Sequence, residues 1–301
     1  MINKYINKLL LNFPIETSNP MYTDLILDGG LFNGSYLLGC LYFLKKMEKK
    51  KLMIIDKISV CSVSSISILF YYIDRLDIWE ERYKKSLHHI KENGNLNIVT
   101  DILTEIRPLL PINFCSIINK KLYISYYHVN KGKKVVSTFK SIDYLFEIIH
   151  RSCFLPMMVD GNLLHKDKYF DGVNPYILPS TPNKKRIFIE LITWDKLIDI
   201  VSVKNETTNL HRILIGVLDI HLFLIKQKST NMCSYIHEWS IMNINSRKCC
   251  KKFFEIIIYY IILFINMVYI NIIQDMKIIP INIFKNMYKF IRPCIIKYLC
   301  L

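Results

Sequence analysis

Two short segments of the chain contain the residue types that acyl-ester chemistry needs. Residues 28–34, DGGLFNG, form a glycine-rich turn after an apolar stretch, and residues 57–66, KISVCSVSSI, place Ser62 after a second apolar stretch. A turn without side chains lets backbone N–H groups reach a developing oxyanion, and a serine at a strand-to-helix turn can act as a nucleophile beside it. The pattern therefore predicts acyl-ester chemistry at Ser62.

A third segment, residues 168–175 with the sequence KYFDGVNP, supplies a carboxylate that could act as the base. Asp171 follows an extended run and lies in a loop that could reach a serine from a distant part of the chain. Each segment alone has a plainer interpretation: a tight turn for the glycines, a helix N-cap for Ser62 and a common turn dipeptide for Asp171-Gly172. The three segments in this order are more informative than any one of them.

The elements that must position these residues alternate between strands and helices. Apolar runs bounded by turn residues predict strands at 22–27, 54–61 and 186–192. Helical spacing predicts helices at 36–50, 65–73, 77–92, 97–106, 141–151 and 208–225. Residues 122–129 and 134–139 predict a β-hairpin. Such alternation is typical of an α/β fold with a mainly parallel sheet, which binds ligands at the carboxyl ends of its strands.

Composition indicates the cellular setting and the classes of partner. The 301 residues include 40 Lys and Arg against 25 Asp and Glu, for a net charge of +15, and nine cysteines. The charge favours a polyanion, either anionic lipid or nucleic acid, although an AT-rich genome would also produce part of it. The cysteines lack the Cys-x-x-Cys spacing of a zinc site, and the N-terminus lacks the apolar core of a secretory signal peptide. We expect an intracellular protein with neither a metal nor another cofactor.

A change in composition divides the chain into residues 1–245 and a basic, apolar segment at 246–301. Residues 247–252, RKCCKK, precede an almost uncharged stretch at 256–273. This stretch is close to the minimum of about 18 residues for a spanning helix, and basic residues flank it on both sides. Three interpretations stay open: a helix lying in the membrane interface, a buried core helix and a spanning helix.

Taken together, the three chemical segments resemble the patatin-like phospholipases, whose pattern is D-G-G-G-x-[RK]-G, then G-x-S-x-G, then D-G-[GA]. The resemblance covers residues 23–192 and includes the order, the spacing and the helix after the first glycines. It implies a three-layer α/β sandwich around a central, mainly parallel sheet, followed here by the apolar C-terminal helical segment. Such combinations are also familiar in large DNA viruses with AT-rich genomes.

The resemblance also implies roles for individual residues. Ser62 would be the nucleophile and Asp171 the general base of a dyad without histidine, and the N–H groups of Gly29, Gly30 and Leu31 would form the oxyanion hole. The substrate would be a phospholipid or a related lipid ester, hydrolysed through an acyl-enzyme without a metal or cofactor. A membrane surface is then the expected partner. The lipid headgroup, the acyl position and the oligomeric state stay open.

Departures from the family pattern leave a second interpretation. Leu31 replaces the third glycine, Asn33 the basic residue, and Val60 and Ser64 the two glycines around the serine. Branched Val60 predicts strain of about 1–3 kcal/mol where strand and helix approach each other. The alternative is a catalytically impaired protein of the same fold that binds membranes or a partner protein. A shifted register with Ser64 as nucleophile fits less well, because bulky Ile66 would then replace the second glycine.

Nucleic-acid binding is a third interpretation of the charge. Tyr123, Tyr126 and Tyr127 lie among lysines, as in many nucleic-acid-binding surfaces. No recognised binding motif accompanies them. Nucleic acid is therefore the least favoured partner.

Overall fold

One mixed sheet organises the part of the chain that the computed structural model describes. The described residues are 2–13, 20–93, 95–196, 198–200, 202–203, 206, 208–239, 256–257, 259–264 and 267. The strands are β1 (Met21–Leu27), β2 (Met53–Cys61), β3 (Leu122–His128), β4 (Gly132–Val136), β5 (Tyr169–Phe170), β6 (Lys185–Ile189) and β7 (Cys233–Tyr235). The helices are α1 (Ile2–Leu11), α2 (Gly34–Lys49), α3 (Val63–Tyr72), α4 (Leu76–Asn93), α5 (Val99–Ile106), α6 (Phe114–Ile118), α7 (Ile142–Ser152) and α8 (Leu210–Lys226).

The sheet has a parallel centre and antiparallel edges. Its order is β4-β3-β2-β1-β6-β7, and β5 pairs with β3. Neighbours among β3, β2, β1 and β6 run parallel, whereas β4, β5 and β7 pair antiparallel to the strands beside them. The carboxyl ends of the four parallel strands therefore meet at one edge, where open α/β sheets bind ligands. The predicted α/β class with a mainly parallel sheet is confirmed.

Both faces of the sheet are buried, as the apolar sequence of β1 requires. Leu25 and Leu27 face the main core, to which residues of α1 to α8 contribute. Ile26 points to the other side and packs in a smaller cluster with Leu178 and Phe188. A parallel strand in the middle of a sheet has no solvated face, so β1 has a continuous apolar run instead of strict alternation.

The predicted strands and helices are confirmed, with ends that shift by a few residues. α1, α6 and β7 go beyond the predicted elements. In α1 the side chains of Ile2, Ile6 and Leu10 recur at helical spacing and are buried, and the helix lies against α2 and α8. Asparagine and lysine fill most of its other face, so its short apolar stripe is easily overlooked.

Helices α2 and α8 cross with their backbones in contact. A Cβ atom on Gly39 would lie 2.0 Å from the Ile213 carbonyl oxygen, and one on Gly216 would lie 2.0 Å from the Tyr36 carbonyl oxygen. The Cys40 thiol donates a hydrogen bond to the Gly216 carbonyl at 3.3 Å. Only glycine at both positions permits this approach, which ties α8 to the helix that follows the first glycine turn.

The C-terminal segment is described only in part. Residues 256–257, 259–264 and 267 are helical. The predicted boundary between 245 and 246, and most of the segment after it, lie outside the described residues. Among the residues that are described, no helix is both long and apolar enough to cross a bilayer.

The crossing of α2 and α8 generates a stability prediction. Gly39→Ala should lower the free energy of unfolding by about 1–3 kcal/mol, because the new methyl group meets backbone atoms that cannot rotate away. The loss should appear even though alanine favours a helix by about 1 kcal/mol over glycine. Urea denaturation measures it, with Leu218→Ala on the outward face of α8 as the control. A Gly39→Ala protein as stable as the wild type would contradict the contact.

Candidate active site

Ser62 lies in a strained turn between β2 and α3. Its backbone angles are φ 52° and ψ −135°. Residues other than glycine rarely adopt this conformation, which costs about 1–3 kcal/mol of folding free energy. Two contacts hold the turn: the Ser62 N–H donates to Ser152 Oγ at 2.9 Å, and the Ser62 carbonyl accepts from the Ser65 N–H at 2.9 Å. This is the geometry of a nucleophile elbow, with the serine at the carboxyl edge of the sheet.

The glycines of the other two segments make room for this turn. A Cβ atom on Gly29 would lie 2.9 Å from Ser62 Cβ. A Cβ atom on Gly172 would lie 2.3 Å from the Ser125 carbonyl oxygen and 2.9 Å from Cys61 Cβ. All three segments selected from the sequence therefore meet at the end of β2.

Asp171 directly follows the short strand β5, which positions it in the site. This strand pairs antiparallel with the last residues of β3, just beyond the point where β2 ends. The Asp171 side chain is buried, and its Oδ1 accepts a hydrogen bond from the Val173 N–H at 2.9 Å. Its Oδ2 is also buried and accepts no hydrogen bond of normal geometry within the described part of the chain. One carboxylate oxygen is thus left for a further donor.

Burial, with a smaller contribution from the nearby Asp28 carboxylate, raises the pKa of Asp171 to about 6. The Ser62 side chain and the Val173 N–H act in the opposite direction, as hydrogen-bond donors that lower this pKa. Ser62 and Asp171 are therefore neighbours, although their contact falls outside normal hydrogen-bond geometry. Catalytic hydrogen bonds are often long before a substrate is bound. The carboxylate is ionised at neutral pH and more basic than an ordinary aspartate.

The glycine turn offers two free N–H groups. The Gly29 N–H donates to Asp28 Oδ1 at 3.1 Å, whereas no acceptor is found among the described residues for the Gly30 and Leu31 N–H groups. Leu31 has φ 44°, the left-handed conformation that favours glycine, at the place of the third glycine in the family pattern. Of the three predicted oxyanion-hole residues, Gly30 and Leu31 have N–H groups available for that role.

The two substituted positions beside Ser62 are accommodated without glycine. Val60 pairs in register with Leu27 and Ile124 and is buried in the main core, and its φ is negative. The strain expected there is found instead at Ser62 and Leu31. Ser64 is buried, accepts from the Cys61 N–H at 3.0 Å and donates to the Cys61 carbonyl at 2.6 Å. Its hydroxyl is therefore part of the turn, and the alternative register with Ser64 as nucleophile is disfavoured.

Arg212 is a buried cation that the sequence reasoning missed. From α8 its guanidinium donates to Asn33 Oδ1 at 3.1 Å, to the Asp199 carbonyl at 2.7 Å and to the Ser202 carbonyl at 3.0 Å. It also pairs with the Glu206 carboxylate at 2.6 Å. Asn33 stands where the family pattern has a basic residue. Arg212 brings a basic group to this position from α8 instead. Helical spacing with buried Gly216 and Ile220 was the available signal for Arg212 as a core-facing residue.

Neighbouring thiols and imidazoles do not compete with Ser62. The Cys153 Sγ atom lies 3.2 Å from the Ser62 carbonyl oxygen, but burial raises the pKa of this thiol far above its ordinary value, so it stays protonated. His165 pairs with Glu147 at 3.3 Å and packs against Phe154. Its side chain is only 20% exposed, so His165 is a partly buried residue rather than an exposed one. No cluster of metal-binding side chains occurs within the described ranges.

An apolar pocket opens beside Ser62. Its room for water-sized molecules is about 110 Å³. Its walls include Leu31, Leu38, Val63, Ile66, Trp79 and Ile102. The pocket extends from the glycine turn, so a carbonyl group held near Gly30 and Leu31 could direct an apolar chain into it.

Comparison with protein-family models and with curated proteins gives no significant match. The roles of Ser62, Asp171, Gly30 and Leu31 therefore depend on the geometry described above.

Asp171 should couple stability to pH. Its pKa in the folded state lies above that of the unfolded chain, so its favourable contribution is complete below about pH 4 and is lost as the pH rises through about 6. Asp171→Asn should therefore stabilise the protein by about 3 kcal/mol at about pH 8 and change it little at about pH 4. Chemical denaturation at both pH values measures this, with exposed Asp167→Asn as the control. An equal effect of Asp171→Asn at both pH values would exclude a raised pKa.

Arg212→Met should destabilise the protein by about 3–5 kcal/mol, because it removes a buried cation from Glu206 and a hydrogen-bond donor from Asn33 and from the Asp199 and Ser202 carbonyls. Arg212→Lys should recover only part of the loss, since an ammonium group cannot reproduce the guanidinium fork. Arg75→Met, which breaks an exposed pair with Asp77, is the matched control and should have no measurable effect. Urea denaturation of the three variants tests the assignment, and equal stability of Arg212→Met and wild type would refute it.

Proposed function

We propose that the chain is a serine acyl hydrolase of the patatin-like phospholipase type, with the three-layer sandwich of that family, which cleaves ester bonds of phospholipids or related lipids. The observation that supports this most is the nearness of Ser62, held at positive φ, to the buried carboxylate of Asp171, since the loops of both residues bond to Ser152. The two free N–H groups of Gly30 and Leu31 and the apolar pocket beside them add the two other parts that ester hydrolysis needs.

The proposed reaction has two halves. Asp171 accepts the Ser62 proton as the hydroxyl oxygen attacks the ester carbonyl carbon, and the Gly30 and Leu31 N–H groups stabilise the negative oxygen that forms. The alcohol part of the lipid leaves with the proton from Asp171, and the acyl group stays on Ser62. A water molecule then gives a proton to Asp171 and attacks the acyl carbon. The bond between this carbon and Ser62 Oγ breaks, the proton returns from Asp171 to Ser62 Oγ, and the fatty acid is released. The proposed reaction uses no metal or cofactor.

The pKa of Asp171 suits this role. An aspartate with an ordinary pKa near 3.8 would be a weak base, whereas burial brings this carboxylate to about 6. A base works best when its pKa is near the working pH. The proposed hydrolysis should therefore operate at neutral pH.

We also propose an intracellular, membrane-associated location. The described cysteines are free thiols, which agrees with a reducing compartment. The net charge of +15 favours contact with anionic lipid. Contact with a bilayer would bring the proposed active site to an ester substrate in that bilayer.

The alternative is a catalytically impaired protein of this fold that binds membranes or a partner protein. The observation that favours it is the backbone of Leu31, which holds a left-handed conformation where the family pattern has glycine. A leucine side chain at that position narrows the approach to the two N–H groups. A displacement of about 1 Å at such a site can lower the rate by about a hundredfold.

Loss of the nucleophile tests the two functions against each other. Ser62→Ala should lower fatty-acid release from phospholipid micelles by about a thousandfold or more, as should Asp171→Asn. Ser67→Ala is the matched control, because Ser67 is a nearby serine that is buried in α3 and whose hydroxyl donates to the Val63 carbonyl. A fluorophosphonate probe, followed by mass spectrometry, should label Ser62 in the wild type.

The pH dependence of the wild type adds a second measurement. The rate should rise through about pH 6 and then level off, because Asp171 must be ionised to accept the proton. Undetectable hydrolysis and undetectable labelling in a folded wild-type protein would favour the binding module instead.

A further inference from the structure

The helical residues 259–264 are fixed beside the candidate active site. Ile262 is buried in a cluster with Tyr127, Val129 and Phe170. The Tyr259 hydroxyl donates to the Val129 carbonyl at 2.8 Å, and its ring lies 6.2 Å from the ring of Phe170. Phe170 directly precedes the proposed base in the chain. One side of this helical segment is therefore part of the wall next to the site.

The other side of the same segment is apolar and exposed. Tyr260 and Phe264 are each 62% exposed, and Ile256, Ile261 and Met267 are also exposed. Four of these five residues recur at helical spacing, at positions 256, 260, 264 and 267, and the described residues of the segment include no charged side chain. We call these five residues the apolar face. Large apolar groups that are exposed together mark an interaction site.

Three lysines lie close to the place where this helical segment meets the sheet. Val129, which Tyr259 contacts, lies at the start of the β3–β4 turn, and its N–H donates to the Lys168 carbonyl at 2.8 Å. Lys131, Lys134 and Lys168 together lower the pKa of His128, the residue before Val129, in addition to the effect of its burial. Positive charge therefore surrounds the point where the helical segment meets the sheet.

We propose that the apolar face, together with Lys131, Lys134 and Lys168, is the surface by which the chain docks on an anionic lipid bilayer. Aromatic side chains favour the level of the lipid headgroups, and lysines attract the lipid phosphates around them. A helix with apolar groups on its outer side and basic groups beside it lies in the plane of the interface. The inference rests on the proposed function, because a lipid substrate explains why this surface adjoins the site.

The charge pattern distinguishes this partner from others. A second copy of the chain would bring a like charge of +15 to a surface that is already basic. An anionic bilayer supplies both the apolar interior for Tyr260 and Phe264 and the phosphates for the lysines. Docking through this surface would bring the loop of Asp171 close to the lipid.

Vesicle sedimentation tests the surface without any need for catalysis. The Ser62→Ala protein is used throughout, with vesicles of phosphatidylcholine alone or mixed with phosphatidylglycerol. Adding Tyr260→Ser and Phe264→Ser should weaken binding to mixed vesicles by about tenfold or more. Adding Lys131→Gln and Lys168→Gln should weaken it by about thirtyfold and remove the preference for the mixed vesicles. Leu218→Ser with Leu222→Ser, at exposed apolar positions of α8, is the matched control and should bind as before.

Folding and self-association are measured in parallel. Circular dichroism should show the same thermal midpoint for the surface variants as for their parent. Equal vesicle binding by all variants would overturn the inference. So would a parent protein that sediments as a dimer and becomes monomeric on Tyr260→Ser with Phe264→Ser while vesicle binding is unchanged.

Hydrolysis of a soluble short-chain ester separates this inference from the proposed function. In the chain with Ser62 intact, the surface variants should keep this activity and lose hydrolysis of vesicle lipid. An inactive wild type whose Ser62→Ala form still shows the predicted vesicle binding would refute the proposed function and leave the docking surface in place. An active wild type whose surface variants still hydrolyse vesicle lipid at the full rate would refute the docking surface and leave the proposed function in place.

Discussion

The close approach of three chain segments at the end of β2 constrains the rest of the structure. A side chain at Gly29 would collide with Ser62, and one at Gly172 would collide with the backbone of β3. Because these contacts leave little space for the turn at Ser62, the backbone of Ser62 has a positive φ. The parallel order of β1, β2 and β3 follows from the same requirement, because only strands that end at one edge can bring these loops together.

Burial of charge is the second feature of the site. Asp28 and Asp171 lie close enough to raise the pKa of Asp171, and both are shielded from solvent. Arg212 is equally buried and connects the glycine turn, through Asn33, to the loop that contains Asp199 and to α8. The contact between Gly39 and α8 brings that helix close enough for its arginine to reach the turn. The packing of α2 against α8 and the geometry of the glycine turn are therefore linked.

The surroundings of Ser62 combine polar and apolar walls on different sides. The carboxylate and the free N–H groups lie at the sheet edge, whereas the pocket extends between the helices that cover the main core. The apolar face belongs to a helical segment whose buried residue Ile262 packs against β3 and β5. An ester held between these regions would have its carbonyl at the polar edge and its apolar chain away from water, which is the arrangement that the proposed hydrolysis of a lipid requires.

The sequence by itself determined the strands, the helices and the three segments of the site, because apolar periodicity and turn residues act over short distances. It indicated Ser62, Asp171 and the glycine turn by residue type and order alone. Only the tertiary structure decided that Gly30 and Leu31 keep free N–H groups, that Val60 fits in the core, and that Arg212 reaches Asn33 from α8. These outcomes depend on contacts between residues far apart in the chain, and local patterns contain no information about which distant groups will share one buried space.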